Sequence, residues 1–163
     1  LQISWTICLF GAELTYAGQN LRNFSFDKDT QNISRRYRDF ISILIMSLIA
    51  KRFERNEPPY TAEEISEEHQ IPIRLTNQTL YQLQEINLIH EVVTDQKSEE
   101  IAYQPSMDLN QLNVAVVLDR LDTYGSENFK IDKEVEFSDE WRILVESREE
   151  YYKKASKVLL KEL

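Results

Sequence analysis

The order of elements between Thr61 and Pro105 limits what this chain can fold into more than any other feature. Thr61, with Glu64 three residues later, makes a capping box that satisfies two orphan backbone N–H groups at a helix start. It opens a short helix, Ala62–His69, which turns Ile65 inward and exposes Glu63, Glu64, Glu67 and Glu68. Ile71-Pro72 makes a tight connection. A second helix over Arg74–Glu85 places Leu75, Thr79, Leu83 and Ile86 inward, with Leu80 at the edge of that face. Leu88–Thr94 is rich in β-branched residues, residues 95–99 make a turn, and Glu100–Gln104 returns as a second strand ended by Pro105. Helix, turn, helix and hairpin in this order predict a winged helix-turn-helix. The expected class is mainly α with a small β-hairpin (α+β).

The flanks fit that plan. Ser34 caps a helix over residues 35–53, with Tyr37, Phe40, Ile41, Leu44, Leu48 and Ile49 as its inward stripe. Ile43, Ile45 and Met46 make its middle turn apolar all round, as in a central core helix or one packed on a second chain. A further helix over Leu109–Tyr124 turns Leu112, Val116, Val117 and Leu121 inward. Residues 125–138 read as a polar connection whose Phe129, Ile131, Val135 and Phe137 form an arm laid on the domain. Ser138 or Asp139 caps an amphipathic C-terminal helix running to about Lys161. Its apolar face, with Trp141, Leu144, Tyr151 and Tyr152, either closes the core or docks on a partner. The divisions expected are residues 1–20, a linker 21–34, a winged helix 35–124, a connection 125–138 and a helix 139–163.

The net charge of −9 is unevenly spread. Residues 1–53 carry +3, residues 128–163 carry −1, and residues 54–127 carry four basic against fifteen acidic side chains, a net −11. Phosphate neutralisation supplies most non-specific affinity for DNA, so a module this acidic is not expected to take DNA as a partner. The single cysteine, Cys8, excludes an intramolecular disulfide framework and any cysteine-based zinc cluster.

Leu1–Ala17 is apolar, with Glu13 its only charge. It falls short of the roughly 20 residues that span a bilayer core, and a buried core helix is the ordinary reading. Arg22, Lys28, Arg35, Arg36 and Arg38 follow closely, the bias of a cytoplasmic flank. The favoured expectation is therefore the inner end of a last transmembrane helix. In a soluble fragment its apolar face would have to be covered by other protein. Ser4-Trp5, Leu9 and Gly11-Ala12-Glu13-Leu14 resemble the end of the final membrane helix in the YihY/BrkB family of bacterial inner-membrane proteins, older label ribonuclease BN-like. The resemblance implies contact with the bilayer through residues 1–17 and with the membrane part of the same protein. Residues from about 21 onward would then be cytoplasmic. Glu13 matches the acidic residue of the family motif and is the candidate functional residue of that helix.

Glu64-Ile65, Ile71-Pro72, Leu80, Leu83, Leu88-Ile89 and Tyr103, with the helix that follows, resemble the Rrf2 family of transcription regulators. The departures are in the wing, glycine-rich in that family and here acidic through Asp95, Glu99 and Glu100, and in the missing cysteine cluster that holds iron–sulfur centres. No cofactor is expected. The recognition helix offers one cation, Arg74, beside neutral Thr76, Asn77, Gln78, Tyr81 and Gln82. Arg74, Asn77, Gln78 and Tyr81 form its candidate contact surface.

A ribonuclease needs positioned acid and base groups or metal-holding carboxylates. His69 and His90 stand alone, and the glutamates run along an exposed helix. No catalytic or metal-ligating residue is assigned, and an enzyme is not expected. The leading expectation is a non-catalytic interaction or regulatory domain of a YihY/BrkB-like membrane protein, which is a homo-oligomer candidate and whose membrane part has a transport role. The alternatives are a winged-helix DNA-binding regulator and a tRNA-processing ribonuclease.

Overall fold

Helix α1 (Arg35–Glu54) buries Ile41, Ser42, Ile45, Met46, Ser47, Ile49 and Ala50. In the computed structural model, residues 30–95 and 99–163 are described, and Arg36–Leu163 form one compact unit. The apolar run at Leu1–Ala17 and its Glu13 lie outside the described residues, as do Gln96–Ser98 of the expected turn. The buried face of α1 is rotated from the expected stripe. Ile41 and Ile49 point inward as expected, but Tyr37 and Phe40 are exposed and Leu44 and Leu48 only half-buried. The middle turn is apolar on every side, so periodicity does not fix which line faces the core. Two serines, Ser42 and Ser47, lie on the face that is buried. Ser42 donates to the Arg38 carbonyl at 2.9 Å and Ser47 to the Leu44 carbonyl at 2.8 Å, so neither hydroxyl is buried without a partner.

The chain then forms β1 (Tyr60–Thr61), α2 (Ala62–His69), α3 (Ile73–Glu85), β2 (Ile89–Asp95), β3 (Glu100–Pro105) and α4 (Val114–Thr123). The capping box at Thr61 is present in both directions: Glu64 N–H donates to Thr61 Oγ1 at 3.2 Å, and Thr61 N–H to Glu64 Oε2 at 3.1 Å. Gln70 ends α2 in the left-handed region, and the chain reaches α3 through Ile71-Pro72. The sheet has the order β1-β3-β2, with both pairs antiparallel. The hairpin is as expected. The third strand is not, since two residues carry no periodicity.

Ile45, Met46, Ile49, Ile65, Leu80, Leu83, Leu88, Ile89, Leu112, Val117 and Leu160 make the core. Each large apolar side chain buried there stabilises the fold by roughly 1.5–3 kcal/mol. Leu80 belongs to its centre, not to its edge. Helix α4 starts five residues later than expected, because Asn113 caps it by accepting from Val116 N–H at 3.0 Å. Its buried residues are Ala115, Val117 and Leu118, with Val116 and Leu121 half-buried.

Helix α5 (Ser138–Ala155) is shorter than expected and contains no buried residue. The arm before it is not laid on the domain, since Phe129, Ile131, Val135 and Phe137 are all exposed. Beyond α5 the chain turns back. Asn113 and Leu159 form an antiparallel bridge, and a short 3-10 turn (Leu160–Glu162) carries Leu160 into the core. Thus the end of the chain, and not α5, closes the module.

Helices α4 and α5 are clasped by Asp122, which accepts from the Tyr152 hydroxyl and pairs with Arg148 at 3.2 Å. Burial, then the hydrogen bond to Asp122, raises the pKa of Tyr152 above the ordinary tyrosine value. A group protonated more tightly in the folded state gives stability that is whole below its unfolded pKa of about 10. That stability is lost as pH rises through the folded value. Tyr152→Phe should therefore cost about 1–2 kcal/mol at neutral pH and flatten the fall in stability above about pH 10. Urea melts of both proteins across that range check this. An unchanged alkaline limb would show that Asp122 does not hold the phenol.

Candidate recognition surface

Helix α3 has two unlike faces. Leu75, Thr76, Thr79, Leu80 and Leu83 are buried, whereas Arg74, Asn77, Gln78 and Tyr81 are exposed at three- and four-residue steps. The four candidate contact residues thus share one face, with Tyr81 65% exposed. Thr76, grouped with them by sequence, is fully buried and donates to the Pro72 carbonyl at 3.2 Å. A threonine can sit inward there because that carbonyl satisfies its hydroxyl.

Arg120 on α4 fixes the far end of α3, donating to the Ile86 and Asn87 carbonyls at 3.0 Å each. A cation there satisfies carbonyls that the helix leaves open and suits the negative end of its dipole. Sequence reasoning missed this role, since the partners lie more than thirty positions away. It also missed Arg52, whose guanidinium lies 3.3 Å from the Tyr60 ring centroid and pairs with Glu64 and Glu68 at 3.3 Å each. The Tyr60 hydroxyl donates to Glu68 at 3.0 Å. Both arginines are thereby engaged within the fold. They add nothing evident to a phosphate-binding surface.

The wing beside α3 is acidic, with Glu91, Glu99 and Glu100 exposed. Burial, then the charges of Glu91 and Glu63, raises the pKa of Tyr103. An open cleft of about 550 Å³ lies among Ala62, Glu63, Asn77, Glu99, Glu100, Ile101 and Tyr103. His69 faces the Tyr60 hydroxyl at 3.4 Å, and His90 faces Ser106 at 3.2 Å. The structure does not bring the two histidines into one site. Among the described residues, no three His, Cys, Asp or Glu side chains gather as a metal-ligand set.

A buried helix-turn-helix with an exposed α3 face and a two-stranded wing defines the chain as a winged helix. No protein-family model matches the sequence, and no curated protein matches it. Among solved structures the chain is similar to T. potens IscR, with a TM-score of 0.54 and 15% identity over 80% of this chain and 85% of that one. It is similar to Staphylococcus aureus CymR (TM-score 0.52, 16% identity, 77% and 93%) and to B. subtilis CymR, the global cysteine regulator (0.52, 14%, 80% and 93%). These are winged-helix regulators of the Rrf2 family, so the Rrf2-like fold read from sequence holds. Likeness at such identity speaks for fold alone.

The YihY/BrkB resemblance and its ribonuclease label find no support in these likenesses. Among the described residues no helix is long and apolar enough to cross a membrane.

Proposed function

We propose that this winged helix is the recognition module of a transcription regulator, with α3 as the element offered to duplex DNA. The observation that carries this reading is the exposed row of Arg74, Asn77, Gln78 and Tyr81 on a helix whose opposite face is locked into the core. Arginine pairs with guanine and asparagine or glutamine with adenine in the major groove. The carboxylates of the wing keep it off the phosphates, so contact is confined to α3. Few phosphates are then neutralised, and the log–log salt slope should be shallow, no steeper than roughly −2 at about −0.9 per phosphate.

Selection from a random duplex pool at low salt, followed by anisotropy titration, tests this. Asn77→Ala should weaken the selected duplex by about 1–3 kcal/mol and relax its preference at one base pair. Recovery of no duplex, or loss that is equal for every sequence, would sink the reading.

A second reading rests on charge. The net −11 of residues 54–127 favours a protein ligand over DNA. On this reading the chain is the cytoplasmic interaction domain of a YihY/BrkB-like inner-membrane protein, reached through residues 1–17. Co-purification from membranes with the full-length protein, unaffected by nuclease, would favour it over the first. On either reading the outward face of α5 is a contact surface for a second copy.

A further inference from the structure

Strand β3 has β2 along one side for its whole length, from Pro105 to Glu100. On its other side it has β1 only at Tyr103 and Ala102. The lane beyond Thr61 is empty of strand because the capping box turns the chain into α2 at that point. The cleft of about 550 Å³ lies against this open edge. Its apolar part is Ile101, 45% exposed, whose cross-strand neighbour Val93 is 61% exposed. Its charged part is Glu63, Glu99 and Glu100, and among the described residues no cation lines it. An aliphatic side chain on the open strand edge, with a second across from it on β2 and carboxylates on both α2 and the wing around it, has a definite complement.

We propose that this edge binds an extended basic polypeptide segment, which adds as a strand in the lane that β1 leaves empty. Main-chain hydrogen bonds to the outer part of β3 supply the affinity common to strand addition, and alternate side chains supply the selectivity. Lysines or arginines of the segment meet Glu63, Glu99 and Glu100. An intervening aliphatic side chain covers Ile101. Unpaired strand edges invite such pairing unless blocked, and the acidic rim restricts the pairing to cationic chains. The inference does not rest on DNA as the ligand of α3, although Asn77 of the α3 face also lines the cleft.

The test uses the full chain and short peptides alternating lysine with valine, lysine with serine, and glutamate with valine. The lysine–valine peptide should shift the backbone resonances of Glu63 and Glu99–Tyr103 and slow amide exchange within Glu99–Ile101. The combined variant Glu63→Gln, Glu99→Gln, Glu100→Gln should bind it about tenfold more weakly, the summed loss for three solvent-exposed ion pairs. Because all three side chains are exposed, its thermal melt should match the parent. The glutamate–valine peptide should not bind. Equal binding of the lysine–serine peptide would reduce the effect to charge attraction and overturn strand addition. So would shifts confined to other elements, unchanged binding by the glutamine variant, or a duplex DNA that shifts the same resonances more strongly than the peptide does.

Discussion

Leu160→Ala should destabilise the module by about 2–5 kcal/mol, although the substitution lies only three residues before Leu163. The Leu160 side chain is fully buried, as is Leu112 on the segment it meets. Its N–H donates to the Leu112 carbonyl at 3.1 Å, and Val114 N–H donates to the Val158 carbonyl at 3.0 Å. Lys161 adds bonds to Glu54 at 2.9 Å and Asn110 at 3.0 Å, tying the tail to α1 and to the turn before α4. Deleting the leucine methyls leaves a cavity among side chains held by these bonds, where collapse is restricted. Against a total of about 5–15 kcal/mol for a domain of ordinary stability, that loss would be visible in any denaturant melt. Val158→Ala, two residues earlier and 37% exposed, is the control and should cost under about 1 kcal/mol. Equal midpoints for the two variants would show that the tail is not part of the core.

The parts of this fold that were legible in sequence are those whose signals are local. Thr61 and Glu64 form a capping box whose bonds close within three residues, and the alternation in the two wing strands fixes their pairing. The candidate face of α3 was legible for the same reason, except at Thr76. What failed depended on distant partners or on ambiguous periods. The all-apolar middle of α1 supports several inward faces, and the serines buried on the one it uses look polar in a pattern. Phe129, Ile131, Val135 and Phe137 suggest a packed arm only if something lies beneath them. Leu160 belonged to an expected continuous helix, and its burial comes from the bridge to Asn113. The open edge of β3 follows from the two-residue β1, which no window of residues can register.

The largest effect on assembly is expected from Leu144→Asp with Tyr151→Asp, which should convert a dimer into a monomer. Helix α5 turns Trp141, Val145, Arg148, Tyr152 and Ala155 to half-buried positions, along the line that clasps α4 through Asp122. A different line faces outward. Leu144 and Tyr151 lie seven residues apart on it and are 51% and 52% exposed, with Phe137 just before the helix and Val158 beyond it 41% and 37% exposed. Within a helix such spacing keeps side chains on one stripe, the pattern by which helices seam together. Leaving these four side chains in water forgoes roughly 1.5–3 kcal/mol for each that could be fully buried. Eighteen residues of α5 extend about 27 Å, and two such helices, with the exposed arm at Phe129–Phe137, can approach the roughly 800 Å² per partner of a stable interface. Intrahelical pairs of Arg142 with Asp139 and Glu146, and of Lys153 with Glu150, border the stripe and leave it neutral. Sedimentation equilibrium at micromolar concentration should therefore give a dimer for the parent chain and a monomer with unchanged helicity for the double variant. A parent chain that stays monomeric, or a variant that still pairs, would remove α5 as the contact between copies.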